Sequence, residues 1–260
     1  MALSRKWEGA LLFDAVVDVA KLARRIEADL KKGGNPKRAE GEKSYLKSDL
    51  RFFGASLAHI RSVAKSVTRN GQLEHDDLVG LVEDLWSKPV FERRMTAVVL
   101  LDLHAAELGS RDLTVIEKLI RESNTWALVD GLAVDVVGGI ALRHRIKQKL
   151  DKWAKDDDFW VRRSSLLAEL KPLKNGADFN PFAARADALL DETEFFIRKA
   201  IGWVLRETSK ERPQEVYEWI APRTHRASGV TMREAVKYLP VSQASRLMKA
   251  YKEGRPARFS

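Results

Sequence analysis

Phe91-Glu92-Arg93-Arg94, continued by MTAVVLLDL to residue 103, opens a pattern that the chain repeats. One aromatic residue, one spacer and two cations recur as Trp160-Val161-Arg162-Arg163 and Phe196-Ile197-Arg198-Lys199, each followed by another apolar run. With Trp126 included, the anchors Phe91, Trp126, Trp160 and Phe196 lie 35, 34 and 36 residues apart. A period in the mid-thirties with two helical patterns per unit is the signature of an α-solenoid, in which each helix pair buries its apolar face against the next.

Outward from these units, apolar residues recur at three- and four-residue spacing almost throughout, and no alternating strand pattern is present. Helical patterns cover roughly 57–69, 76–87, 90–107, 112–122, 125–137, 140–153, 158–171, 181–191, 194–209, 213–220, 230–239 and 242–253. Breaks fall at GGNP (33–36), NGQ (70–72), SKP (87–89), KNGADFNP (174–181) and APRTHRASG (221–229). A first helix is expected to carry Leu11, Leu12, Val16, Val19, Ala20 and Leu22 on one face. The sequence therefore predicts one all-α domain of short HEAT-like repeats over 1–260, an α-solenoid with a basic concave groove. Residues 1–40 form an N-terminal helix and loop, 41–240 the core repeats, and 241–260 a C-terminal helix and basic tail.

The 46 Lys+Arg outnumber the 37 Asp+Glu, giving a formal charge of +9 and a pI near 9.7. Such a surplus attracts anionic partners at long range. Because equivalent positions of stacked repeats fall into line, Arg93, Arg94, Arg162, Arg163, Arg198 and Lys199 have two readings. They form a stripe for a sugar–phosphate backbone, helped by helix N-termini, or a ladder paired with Asp and Glu of the neighbouring turn. Spacing leaves both open. The absence of cysteine excludes disulfides, thiol nucleophiles and Cys-ligated metal, and fits a cytosolic protein. The apolar stretch near the N-terminus is short and broken by charge, and no run is long enough to span a bilayer.

The second unit breaks the dibasic rule. Asn124-Thr125-Trp126-Ala127-Leu128-Val129-Asp130 carries Leu and Val where the others carry cations. Trp126 and Asp130, four residues apart, share a helix face and place an indole and a carboxylate in an otherwise cationic setting. Either the carboxylate stabilises a developing positive charge, or it pairs with an arginine such as Arg163. Trp203 lies on the same helix face as Lys199, in an apolar run where a core role is equally natural. No two of the five histidines share a helix turn, so no zinc site is expected. Asp156-Asp157-Asp158 reads as a helix cap, and Gly138-Gly139 as a turn between helices.

Three blocks resemble motifs of the AlkD-type DNA alkylation repair family: NTWALVD (124–130), FWVRR (159–163) and EFFIRKAIGWVLRE (194–207). SYLKSDLRFFG (44–54) is similar to that family's first motif and MREAVK (232–237) to its last, so the resemblance runs in order from about residue 40 to 240. It implies a HEAT-like-repeat DNA glycosylase that hydrolyses the bond to cationic N3- or N7-alkylated purines in duplex DNA, without a tight base pocket, cofactor or metal. Matched position by position, Trp126 and Trp203 are the active-site tryptophans, Asp130 the catalytic aspartate, and Arg163 the arginine holding the backbone near the lesion. Thr125 and Ala127 depart from the family pattern beside them. DNA contacts are expected from Tyr45, Lys47, Arg93, Arg94, Arg162, Arg198, Lys199, Arg206 and Arg233, with further contacts from Arg223, Arg226 and the tail Arg255–Arg258. The expected state is a monomer in the cytoplasm, at the nucleoid when bound to DNA. The alternative is a non-catalytic protein of the same architecture that binds DNA structure.

Overall fold

The computed structural model describes residues 17–69 and 73–257. Among them helix is the only regular element, apart from one isolated bridge between Arg51 and Val90. The chain lays down α1 (Val19–Lys32), α2 (Pro36–Leu46), α3 (Leu57–Arg69), α4 (His75–Ser87), α5 (Phe91–Leu103) and α6 (Leu113–Glu122). A long central helix follows in contiguous pieces: α7 (Trp126–Asp130), a π-helical stretch over Gly131–Val137, and α8 (Gly138–Ala141). The second half adds α9 (Lys147–Trp153), α10 (Phe159–Leu167), α11 (Leu170–Lys174), α12 (Asn180–Ala188) and α13 (Phe195–Ser209), then α14 (Pro213–Ile220), α15 (Gly229–Ala235) and α16 (Val241–Lys252).

These helices form two rows, as the repeat predicts. In the inner row α3, α5, the α7–π helix, α10, α13 and α15 each pack on the next. Outer helices back them: α4 lies on α5, α6 and α9 on α10, and α14 on α13. Every inner helix from α5 to α13 starts at one of the aromatic anchors or beside it. The dibasic exception now has its reason, because Leu128 and Val129 are fully buried between rows. Burial of such side chains stabilises by about 1.5–3 kcal/mol each.

Three expectations are corrected. α1 buries Ala23, Ile26 and Leu30; Val19 and Leu22 pack at its edge, and Ala20 is exposed. Leu11, Leu12, Val16, the break at 70–72 and Arg258 lie outside the described residues. α2 appears where no helix was expected and crosses the anticipated boundary at residue 40. Asn35 caps it by accepting from the Arg38 N–H at 3.0 Å, and Pro36 starts it. Only Leu46 of α2 is buried, so it carries no apolar period to read. Finally, Gly138 and Gly139 are no turn. They lie buried inside the central helix, where a Cβ on Gly138 would sit 3.2 Å from the Ala168 carbonyl oxygen. Gly138 thus allows close approach to the α10–α11 junction, and Gly139 lies against Ala105.

Candidate active site

Asp130 is the last residue of α7, and the helix widens into its π turn immediately after it. Such widened turns are frequent at functional sites. The turn opens at a close approach, where a Cβ on Gly131 would lie 2.8 Å from Val98 of α5. The Asp130 carboxylate meets the Arg163 guanidinium of α10 in a two-pronged pair, with Nε donating to Oδ1 at 2.8 Å and Nη2 to Oδ2 at 3.0 Å. The third arm, Nη1, donates to the Phe196 carbonyl at 2.5 Å, and the guanidinium lies 5.7 Å from the Phe196 ring centre. Arg163 is buried, whereas Asp130 keeps 16% of its side chain open. Burial pushes the Asp130 carboxyl above the usual carboxylate range, and Arg163 only partly offsets it.

A cleft of about 410 Å³ lies over this pair, walled by Tyr45, Trp126, Phe195, Phe196, Trp203 and the stems of Lys199 and Arg206. The structure thus gathers Trp126, Asp130, Arg163 and Trp203 from three consecutive inner helices. Tyr45 joins them from α2, its ring edge-on to Trp126 at 5.7 Å and 84°. It is 72% exposed, a large aromatic surface left in water. Among the described residues, Lys47 (φ 48°) and Asn124 (φ 49°) alone among non-glycines adopt left-handed backbone. Each flanks one member of the Tyr45–Trp126 pair, and such backbone costs roughly 1–3 kcal/mol. Phe195, 53% exposed at the cleft, was missed by sequence reasoning. The Phe195-Phe196 doublet was its signal, two adjacent aromatic side chains pointing about 100° apart around a helix.

The dibasic positions prove to be a ladder. The first cation of each pair turns back onto backbone carbonyls that precede its own helix. Arg93 is buried, donating to the Asp84 and Leu85 carbonyls and pairing with Glu27 and Asp84 at 2.7 and 2.9 Å. Arg162 bonds the Asp156 and Asp157 carbonyls and pairs with Glu192, and Arg198 bonds the Glu192 carbonyl. The second cation reaches into the next unit: Arg94 to the Glu122 carbonyl, Arg163 to that of Phe196, and Lys199 to Glu234 at 2.6 Å. The expected stripe is corrected accordingly, most completely at Arg93, which faces the core and cannot meet DNA. Arg206 also pairs with Glu234, and Arg223 and Arg226 pair with Asp187. Arg255 pairs with Glu253. Lys47 and Arg233 are exposed and form no salt bridge among the described residues.

The groove instead draws cations that the sequence analysis passed over. Arg61 and Lys65, four residues apart on α3, line a neighbouring cavity that Asp130 and Trp203 also line. Lys171, Lys174, Lys210 and Arg212 line another, again reaching Trp203. Asp158 caps α10 by accepting from the Trp160 N–H at 2.8 Å. Among the described residues, no three His, Asp or Glu side chains are grouped to hold a metal ion.

An inner row of helices that lines a cationic groove, with a carboxylate and two indoles at its centre, defines a repeat protein built around a long anionic ligand. Residues 26–239 match the family described as DNA alkylation repair enzyme, and the chain belongs to that family. It is an enzyme of DNA alkylation repair, with DNA as its substrate. A predicted DNA alkylation repair enzyme from Enterococcus faecalis shares the fold with a TM-score of 0.70 at 24% identity, over 80% of this chain and 97% of that one. AlkD2 from Streptococcus mutans superposes with a TM-score of 0.61 at 15% identity, over 86% of this chain and 100% of its own. No curated protein matches the chain.

Proposed function

We propose that the protein is a monofunctional glycosylase that hydrolyses the N-glycosidic bond of cationic N3- or N7-alkylated purines in duplex DNA. The observation that carries this reading is the Asp130 carboxylate, fixed by the buried Arg163 fork at the floor of a cleft walled by Trp126 and Trp203. Alkylation at N3 or N7 places positive charge on the purine, which makes it a good leaving group. As the C1′–N bond breaks, its electron pair goes to the base and positive charge grows on the deoxyribose.

A preorganised carboxylate aimed at that centre stabilises charge that develops only in the transition state. Asp130 also orients the attacking water and takes up its proton as the new C1′–O bond forms. The indole faces of Trp126 and Trp203 favour a cation at roughly 0.5–2 kcal/mol per contact. Arg163 is read here as a positioning residue. Its three nitrogens are engaged by Asp130 and Phe196, so the phosphate-holding role passes to the exposed groove cations Arg61, Lys65 and Lys174. Release of a neutral base without strand cleavage follows, since no lysine stands among the cleft's reacting groups to form a Schiff base with the sugar; Lys199 is held by Glu234.

The test is release of 7-methylguanine and 3-methyladenine from methylated duplex DNA. Wild type is expected to release both, and Asp130→Asn to lose about 10²–10³-fold in rate, the scale of one preorganised electrostatic group. Wild type that binds the DNA but frees no base would remove the catalytic reading.

A further inference from the structure

The buried apolar side chains of the array fall into two cores. The first runs from α1 to α10 and takes in Leu132, Val136 and Val137 of the π stretch and Trp153 of α9. The second takes in Ala133, the next residue of the π stretch, and Ala154, the residue after Trp153, and runs on to α16. α10 lies between them with a face toward each: Val161 and Ala168 belong to the first core, Leu166 and Leu167 to the second. One seam therefore cuts the molecule through the π stretch, the end of α9 and the length of α10.

Three charged links cross this seam. Asp130 meets Arg163, whose other arm holds the Phe196 carbonyl of α13. Arg185 of α12 is buried, and pairs with Glu169 and, at 2.6 Å, with Asp151 of α9. Lys171 of α11 reaches Asp102 of α5 and Asp135 of the π stretch at 3.5 and 3.4 Å. Ser164 and Ser165, fully buried on α10, spend their hydroxyls on their own helix. Interlocked apolar side chains resist sliding, because any shift opens voids. A polar join is the ordinary condition of parts that move relative to one another.

The seam also divides the site. Trp126 packs on the first core and Trp203 on the second, so the two indoles of the cleft stand on different bodies. The exposed cations divide likewise, with Arg61 and Lys65 on α3 and Lys174 at the end of α11, beside Leu173 of the second core. A duplex lying along the groove presents phosphates to both sets at once.

We infer that the array closes about this seam when duplex DNA binds, the two bodies turning as units on α10 so that Trp126 and Trp203 draw together. A polyanion shared by two basic arms supplies the force. Long ion-paired side chains keep their partners through a small rotation, which is the behaviour of a hinge between rigid parts. Closure requires DNA binding alone and not the glycosylase chemistry.

The chain has no cysteine, so introduced pairs carry spin labels without background. Ala58→Cys on α3 and Lys237→Cys just past α15 mark the two ends of the inner row, across the seam. Ala58→Cys with Lys118→Cys on α6 marks a pair within the first body. All three positions are exposed. Label separations are read by pulsed electron spin resonance with and without an undamaged duplex oligonucleotide. The cross-seam separation is expected to shorten by several ångström on adding DNA, while the within-body separation holds. An unchanged or longer cross-seam separation would overturn closure. Proportionate shortening of both pairs would overturn the seam, since the array would then bend evenly along its length. Base release from methylated duplex by the same labelled proteins reports on the glycosylase reading separately, so either can fail alone.

Discussion

Glu92, in the first turn of α5, and Asp130, where α7 passes into the π stretch of the next inner helix, are both carboxylates, and the structure uses them in opposite ways. Glu92 is fully buried and accepts from three consecutive backbone amides, those of Phe53, Gly54 and Ala55, at 2.6–3.2 Å. Every donor is main chain, and no edge is left for another molecule. Asp130 is held by a single side chain, the Arg163 fork, and faces the cleft. A buried carboxylate always incurs a desolvation cost. Fixed amides around Glu92 convert that cost into a locked loop before α3. At Asp130 the compensation is incomplete, and the residual bias toward positive charge is what a reaction can use. The same residue class thus becomes a clamp or a reagent according to who donates to it.

The comparison is broken most severely at Glu92. Glu92→Ala leaves three enclosed amides without an acceptor and is expected to lower unfolding free energy by more than about 3 kcal/mol, read from urea midpoints. Asp130→Asn keeps one oxygen acceptor and much of the shape, so its midpoint should move far less. Equal stability losses would mean that Asp130 too is chiefly structural. Next in size, Arg163→Met frees Asp130 from its fork and is expected to cost up to about 10²-fold in kcat through misplacement. Arg163→Lys should recover part of that loss.

The pH profile sharpens the contrast further. Burial raises the Asp130 pKa, so the ionised form that the proposed mechanism requires is lost at a higher pH than for an ordinary carboxylate. The acid limb of kcat/KM should therefore lie above the usual carboxylate range, and should move higher still in Arg163→Met, which removes the opposing charge. A limb at or below pH about 4 would contradict this assignment. At the N-terminal end the sign reverses. Hydrogen bonds from Lys31 and Lys88, with Arg93 close by, hold Glu27 down at about 2. Its contribution to stability is present above the unfolded value and drains away as pH falls toward about 2. The smallest effect belongs to the outward rungs. Lys199→Ala, at a half-open pair, should cost about 0–1 kcal/mol and become immeasurable at high salt.

The repeat was legible because aromatic anchors and apolar runs are local signals, and the inner row follows from them. Trp126 and Asp130 were legible as a pair because a helix turn brings them together. The partner of Asp130 was legible only as one of two readings, since Arg163 lies 33 residues on and spacing does not say which way a cation turns. Arg93 shows the cost of that ambiguity: its composition reads as surface, yet Glu27 of α1 and Asp84 of α4 draw it into the core. α2 escaped because a helix with one buried residue has no period, and Tyr45 was legible only through the family resemblance. The cavity beside Asp130 escaped because its walls come from α3, α5 and the π stretch, far apart in sequence.

Arg163 stands in one unit, grips a carboxylate in the unit before and a carbonyl in the unit after. Repeat arrays are free to melt in sections, one end holding while the other opens. Here the proposed reactive geometry exists only while three successive sections are folded together, so under that proposal catalytic competence is itself a measure of cooperativity along the array. Loss of the α13 section alone would silence the enzyme without disturbing its first helices, and partial unfolding would register as inactivity well before most of the helix content had gone.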